Sequence, residues 1–181
     1  VRIYNANRFR LEPDMIELGN SPGNFIVRND GTKGYGAMNA RKSIAVADLQ
    51  TNETVKYIQV GFPPYAMCFN ESGSHLYVAS RDSGTIVIID TDTDEIIKLF
   101  DLTPRLEGLI EFNYPEMIAL SSDERFLYVL PKRKELLVYD ISMVLDPARE
   151  GELPVMVQSQ RLAADPLYMQ VVRGYDIPGI D

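Results

Sequence analysis

The sequence contains very few side chains of the kinds that bind metals or carry redox chemistry. Its 181 residues include one cysteine, Cys68, and one histidine, His75. A single cysteine excludes an intrachain disulfide, and because Cys68 lies in the apolar run 66–69 we expect a buried, unreactive thiol. There is no second histidine, no cysteine pair and no Cys-x-x-Cys-His motif, so we expect no zinc or haem site and no evident cofactor.

Other functional classes lack their signatures as well. No apolar run approaches the roughly 18 residues of a membrane-spanning helix, and a net charge of −8 without a basic, aromatic-rich stretch argues against nucleic-acid binding. Residues 31–36 are rich in glycine, but they fall on a predicted hairpin rather than on a phosphate-binding loop. A Ser-His-Asp triad would have to use His75, and no Gly-x-Ser-x-Gly elbow is present. We therefore assign no catalytic, cofactor-binding or metal-binding residue and expect no catalytic activity intrinsic to this chain.

The sequence does contain a long internal repeat. Residues 19–60 return 42 residues later as residues 61–102, and a looser third copy follows after a further 50 or 51 residues. A period of about 40 residues with strand-like content is typical of a β-propeller, in which each unit forms one blade. Pro22, Tyr35, Ala37 and Asp48 return as Pro64, Tyr77, Ala79 and Asp90, and again as Pro115, Tyr128, Leu130 and Asp140.

Each copy predicts a meander of four antiparallel strands. In the second copy the strand-like runs 65–70, 75–80, 85–90 and 95–100 alternate with turn residues. The run 85–90 is nearly all apolar and β-branched, as expected for a strand that is covered on both faces. The predicted propeller domain divides into the second half of a blade at 1–18, blades at 19–60, 61–102 and 103–162, the last with an inserted connection, and the first strand of a further blade at 163–181.

The repeated positions carry more detailed expectations. The prolines of the repeat are expected just ahead of the innermost strand of each blade. The repeated tyrosines are expected to pack between blades with their hydroxyl groups at a polar edge. In the N-terminal half-blade, residues 2–5 match the third strand of the meander and residues 15–18 match the fourth.

The second copy resembles the YVTN family of β-propeller repeats. It carries Pro64, a Ser-Gly-Ser turn at 72–74, Leu-Tyr-Val-Ala at 76–79 and Val-Ile-Ile-Asp-Thr at 87–91. The resemblance implies a propeller, often of seven blades and often outside the cytoplasm, as in archaeal surface proteins and in the propeller subunits of periplasmic redox enzymes. Since about four units are present, we expect this chain to be part of a larger ring. The missing blades would come from the rest of a longer polypeptide, a separate subunit or a second copy of the chain.

The predicted turns sort by charge onto two sides of the propeller. Turns between the first and second and between the third and fourth strands form an acidic face. The other turns and the connections between blades form a basic face, which suits an acidic partner or an anionic ligand. On the acidic face we place Asp30, Glu53, Glu71, Asp92, Asp94, Glu95, Asp123 and Glu124, offset mainly by Lys33 and Arg125. The candidate contact residues on the basic face are Arg41, Lys42, Arg81, Arg105, Phe112, Tyr114, Lys132, Arg133 and Lys134.

Two weaker signals fall on the acidic face. Asp92, Asp94 and Glu95 are close together, but the calcium-loop pattern is absent and an Asp-rich turn explains them better. Asn52 and Asn70 begin Asn-x-Ser/Thr sequons. In a glycosylating organism, sugars at these sites would leave the basic face as the contact surface.

Two functional interpretations follow. The first is a YVTN-like binding or scaffold module that contacts a protein partner, the remaining blades or a ligand. The alternative is a propeller subunit of a periplasmic oxidoreductase complex, whose redox cofactor lies on another chain. Both favour an extracytoplasmic location, whether periplasmic, cell-surface or secreted, while a cytoplasmic location stays open.

Overall fold

The structure is a computed structural model that describes residues 1–5, 10–19, 22–80, 82–102, 115–131 and 135–162. Over these residues it consists of β-strands and two short 3-10 turns, Asn39–Arg41 and Pro147–Arg149, which confirms the predicted all-β class. Predictions for the connection at 103–114 and the strand at 163–181 lie outside the described residues. The strands are β1 (Arg2–Asn5), β2 (Arg10–Met15), β3 (Phe25–Val27), β4 (Lys33–Met38), β5 (Ser43–Asp48), β6 (Glu53–Gln59), β7 (Pro64–Phe69), β8 (His75–Ser80), β9 (Thr85–Asp90), β10 (Glu95–Asp101), β11 (Pro115–Leu120), β12 (Phe126–Pro131), β13 (Glu135–Asp140) and β14 (Val155–Arg161).

The strands form three four-stranded antiparallel sheets, each in chain order. The first sheet is β3 to β6, the second is β7 to β10 and the third is β11 to β14, while β1 and β2 pair as an N-terminal hairpin. In the second sheet β8 and β9 have the bounds that the repeat predicts. Pro64 and Pro115 are the first residues of β7 and β11 rather than lying ahead of them. This is the position in a strand where proline does least harm, since its missing N–H is not needed by the ladder.

The last strand of the N-terminal hairpin differs from its prediction. The repeat places a strand at 15–18, whereas β2 spans Arg10–Met15. Asn5 pairs with Arg10, so the second strand follows closely after the first. Ile16 and Leu18 come after the strand and are buried against the first sheet.

The core lies between the sheets, which stack face to face in chain order. Ile86 and Ile88 on β9 pack into the cluster shared with the third sheet. Val87 and Ile89, which alternate with them, pack into the cluster shared with the first sheet. All four side chains are fully buried, and burial of each is worth about 2 kcal/mol. The continuous apolar run of β9 therefore reflects a strand covered on both faces.

The last strand of each four-stranded sheet contains a β-bulge. The register of β6 skips Val55, that of β10 skips Ile97 and that of β14 skips Val157. These three β-branched side chains are 57%, 44% and 47% exposed. A bulge leaves its extra residue unpaired and increases the local twist of the strand.

Candidate functional site

The structure brings the turns together on two opposite ends of the sheets. On the acidic face the turn after β3 contacts the turn after β9, where Nη1 of Arg28 lies 2.9 Å from Oδ1 of Asp92. At the other end the turn between β4 and β5 contacts the connection between sheets. There the N–H groups of Val60 and Gly61 donate to the carbonyl oxygen of Lys42 at 3.0 and 3.2 Å. Each of these described turns therefore lies at the end of the sheets to which the predicted meander assigns it.

Two of the nine candidate contact residues lie in the described part of the chain. Arg41 and Lys42 are both exposed and occupy the turn between β4 and β5. The Arg41 guanidinium carbon lies 4.8 Å from the centre of the Tyr57 ring, a cation–π contact. Stacking on Tyr57 restricts the guanidinium while the residue remains accessible. The other seven candidates, Arg81, Arg105, Phe112, Tyr114, Lys132, Arg133 and Lys134, lie outside the described residues, so their grouping stays a prediction.

The acidic face joins the first sheet to the second through one buried carboxylate. The hydroxyl group of Tyr35 donates to Oδ1 of Asp94 at 2.7 Å, and Nζ of Lys33 lies 2.8 Å from its Oδ2. Nζ of Lys56 donates to the backbone carbonyl of Asp94 at 2.8 Å. Tyr35 is fully buried, and burial together with the neighbouring carboxylate raises the pKa of its hydroxyl group well above the ordinary value. Asp94 is thus a structural residue of the first interface, the contact between the first and second sheets.

An arginine that the sequence analysis missed reinforces the first interface. Arg28 forms ion pairs with Asp30 at 2.6 Å and with Asp92 at 2.9 Å. The hydrogen bond from Arg28 lowers the pKa of Asp30 from 3.8 to about 2. The sequence analysis expected Lys33 and Arg125 to offset most of the negative charge on this face. Arg28 and Lys56 contribute positive charge there as well.

The contact between the second and third sheets, the second interface, also centres on one carboxylate. Asn70 Nδ2 donates to Oε1 of Glu124 at 2.8 Å, and the Tyr77 hydroxyl donates to its Oε2 at 3.3 Å. Nδ1 of His75 lies 3.5 Å from the same Oε2. Burial, followed by the charge of Glu124, raises the pKa of the Tyr77 hydroxyl. The prediction that the repeated tyrosines pack between blades with hydroxyls at a polar edge is confirmed for Tyr35 and Tyr77.

The two sequons differ in their accessibility. Asn70 is 3% exposed, and its amide already donates to Glu124 and to Ser74. The side chain of Asn70 is therefore not accessible to glycosylation in the folded chain. Asn52 is half-buried, and the hydroxyl of Thr54 in the same sequon donates to the carbonyl of Glu17 at 2.8 Å.

A surface groove and the single cysteine are two further features that bear on possible chemistry. An open groove of about 460 Å³ on the acidic side is lined by the N-terminal hairpin and the start of β6, including Glu17 and Glu53. Cys68 is partly rather than fully buried and packs against the core between the second and third sheets, and this burial raises the pKa of its thiol, which disfavours the reactive thiolate. Within the described ranges, no three histidine, cysteine, aspartate or glutamate side chains lie close enough to hold a metal ion. The same ranges contain no helix long and apolar enough to cross a membrane.

The comparisons with known proteins concern the fold. No protein-family model matches the chain. Hydrazine synthase of Kuenenia stuttgartiensis superposes with a TM-score of 0.61 at 18% identity, over 84% of this chain and 38% of that chain. This chain has a propeller-like fold. Its three sheets are accordingly called the first, second and third blades below.

Two curated proteins are related in sequence over a shorter stretch. Both are named Uncharacterized protein YncE. The protein from Salmonella typhimurium is 38% identical over 69 residues, and the protein from Salmonella typhi is 36% identical over the same length. The match covers 38% of this chain and 17% of each relative.

Proposed function

We propose that the chain is a YVTN-like β-propeller module that binds or scaffolds a partner through its basic face. The observation that carries the proposal is the different use of charge on the two faces. On the acidic face Asp94, Glu124 and Arg28 are bound to neighbouring blades. On the basic face Arg41 and Lys42 are exposed.

The chemistry of these two residues suits an acidic protein or an anionic ligand. A guanidinium group binds carboxylates and phosphates through two parallel hydrogen bonds. Because Arg41 is already stacked on Tyr57, it loses less side-chain freedom on binding than an unrestrained arginine would. The resemblance to the YVTN family adds an extracytoplasmic location to the proposal.

Charge reversal on the basic face tests the proposal. The experiment measures retention of the chain on immobilised poly-glutamate at low and at physiological salt. We expect the double variant Arg41→Glu/Lys42→Glu to lose about tenfold in affinity, and Lys132→Glu/Arg133→Glu to lose a similar amount. The control, Lys98→Glu/Arg161→Glu, makes the same change in net charge on the last strands of the second and third blades. An equal loss of affinity in the control would show that the effect comes from net charge alone, and it would contradict a basic contact face.

A propeller subunit of a periplasmic oxidoreductase complex is the second candidate. The same exposed Arg41 and Lys42 would then dock the chain that holds the redox cofactor. The two proposals differ in what copurifies with the chain from its native source. Haem or quinone absorbance in a stable complex favours the oxidoreductase, whereas a colourless complex with an acidic partner favours the binding module.

A further inference from the structure

The open groove on the acidic side lies where the N-terminal hairpin meets the first blade. Its walls come from the end of the hairpin, from the turn after β5 and from β6. Glu17 and Glu53 are both exposed, and within the described ranges neither forms an ion pair with a lysine or an arginine. The lining residues are Met15, Glu17, Asn52, Glu53, Thr54 and Tyr57.

The first interface shows what the matching turn of the second blade binds. This turn, residues 91–94, receives an ammonium group from Lys56 on the last strand of the preceding blade. Nζ of Lys56 donates to the carbonyl oxygen of Asp94 at 2.8 Å and to that of Thr93 at 3.3 Å. Both acceptors are backbone atoms, so this contact depends on the shape of the turn rather than on its side chains.

The turn that lines the groove has the same shape as the turn that binds Lys56. In each, the aspartate that ends the third strand accepts hydrogen bonds from the N–H groups two and three residues later. The distances are 2.7 and 3.1 Å in the first blade and 3.0 and 2.8 Å in the second. The repeat aligns Asn52 with Asp94, and both have a left-handed backbone, with φ of 62° and 56°. The carbonyl groups of residues 51 and 52 are therefore arranged to accept an ammonium group in the same way.

The N-terminal hairpin has no lysine to repeat this contact. Residues 1–18 contain no lysine, and the repeat aligns Lys56 with Asp14. The hairpin is joined to the first blade differently, because the hydroxyl group of Thr54 donates to the carbonyl oxygen of Glu17 at 2.8 Å. This bond holds the two walls together while the groove beside it stays open.

We propose that the groove binds the primary ammonium group of an alkyl amine. The N–H groups of the amine donate to the carbonyl oxygens of the turn, as those of Lys56 do in the first interface. Glu17 and Glu53 balance its charge, and Tyr57 and Met15 offer apolar surface to its alkyl chain. A lysine side chain of a partner protein and a free polyamine share this chemistry. The site lies on the acidic face, so this inference does not depend on the function of the basic face.

A titration of the isotope-labelled 181-residue chain, followed by NMR, tests the proposal. The probes are N-acetyl-lysine methylamide, the same compound trimethylated on its side-chain nitrogen, and spermidine. We expect the lysine compound to shift the amide signals of residues 51–54. The trimethylated compound should bind at least about fivefold more weakly, because it has the same charge but no N–H to donate. Equal affinities for these two compounds would overturn the proposal.

The comparison with spermidine identifies the source of the amine. Tighter binding of the lysine compound points to a lysine side chain of a partner protein. Tighter binding of spermidine points to a free polyamine.

Removal of one carboxylate at a time gives a second measurement. We expect Glu17→Gln and Glu53→Gln each to weaken binding of the lysine compound about threefold, as for an exposed charge pair. The matched control is Glu95→Gln, since the repeat aligns Glu95 with Glu53 and both begin the last strand of a blade. Lys56 already occupies the carbonyl groups of that turn, so the control should leave the affinity unchanged. An equal loss in the control, or no shift of the signals of residues 51–54 with the lysine compound, would overturn the proposal.

The equivalence of the two turns can be tested by removing the natural ammonium group. In Lys56→Ala the carbonyl groups of Thr93 and Asp94 lose their lysine. We expect the lysine compound then to shift the signals of residues 93–95 as well, with an affinity within about threefold of that for the groove. Wild type should show no shift there. The absence of a second site in Lys56→Ala would overturn the equivalence on which the proposal rests.

Discussion

The hydroxyl group of Tyr35 lies 2.7 Å from Oδ1 of Asp94, a residue of the next blade that is 59 positions away in sequence. The tyrosine is fully buried and the aspartate is 9% exposed. Hydrogen bonds from a buried donor to a charged acceptor are among the stronger ones in proteins, at about 1.5 to 3 kcal/mol. This contact therefore contributes to the stability of the interface between the first and second blades.

Removing the hydroxyl group measures that contribution. We expect Tyr35→Phe to lower the free energy of unfolding by about 2 kcal/mol, since it leaves Asp94 without its closest donor. The matched variant is Tyr77→Phe, whose hydroxyl lies 3.3 Å from Glu124 and should contribute about half as much. Denaturant titration compares the two. A larger loss for Tyr77→Phe would contradict the assignment of the stronger bond to the first interface.

Truncation of the tyrosine ring tests packing rather than hydrogen bonding. Tyr77 is 1% exposed and lies in the core between the second and third blades. We expect Tyr77→Ala to cost about 3 kcal/mol, within the range for loss of a core aromatic side chain. Equilibrium unfolding in urea provides the measurement, and a loss below about 1 kcal/mol would be incompatible with a buried ring.

The positive φ of Glu124 can be tested by comparing alanine with glycine at this position. Because its φ is 57°, alanine at this position is strained, whereas glycine is not. Both variants lose the hydrogen bonds to Asn70 and Tyr77, so Glu124→Gly should be more stable than Glu124→Ala by about 1 kcal/mol. Ser122, two residues earlier in the same turn, is exposed and has no positive φ, and there alanine should be at least as stable as glycine. If the alanine and glycine variants had the same order of stability at both positions, this would argue against backbone strain at Glu124.

Acid sensitivity should follow the paired aspartates. The pKa of Asp30 is lowered from 3.8 to about 2 by Arg28, so its contribution to stability is fully present above about pH 4. That contribution is lost as the pH falls from about 4 to 2. Thermal unfolding followed across this window should show a falling midpoint for wild type and a smaller fall for Asp30→Asn. Part of the fall should persist in the variant, because hydrogen bonds also lower the pKa of Asp90 and Asp123.

Thiol labelling tests the environment of Cys68. Burial raises the pKa of this thiol, and only the thiolate reacts readily. At pH 8 we expect labelling of the folded chain to be at least about tenfold slower than labelling of the chain unfolded in urea. Equal rates would show that β7 does not protect its thiol in solution.

The strands and the buried tyrosines could be predicted from the sequence because their signals are local. Turn residues and apolar runs recur at a fixed period, so Tyr77 and the strand at 85–90 are placed by their neighbours in the chain. The same local information located Asp94 in a turn between two strands.

The partners across the interfaces could not be predicted in the same way. Asp94 binds Lys33 and Tyr35, 61 and 59 residues away, and which side chains meet depends on how the blades stack. The repeat is misleading here, because the acceptor changes from one turn to another between interfaces. One usable signal was present: Glu124 occupies a turn position where the other two copies have glycine.

The bulged last strands have a consequence for the behaviour of the protein at high concentration. A sheet edge with a long, regular row of free backbone groups invites a strand of another molecule to continue the ladder, which is how fibrils grow. In all three blades the last strand loses its register at one β-branched residue, Val55, Ile97 or Val157. An incoming strand would find no flat stretch with which to stay in phase. The periphery can thus carry exposed valine and isoleucine side chains without acting as a template for polymerisation.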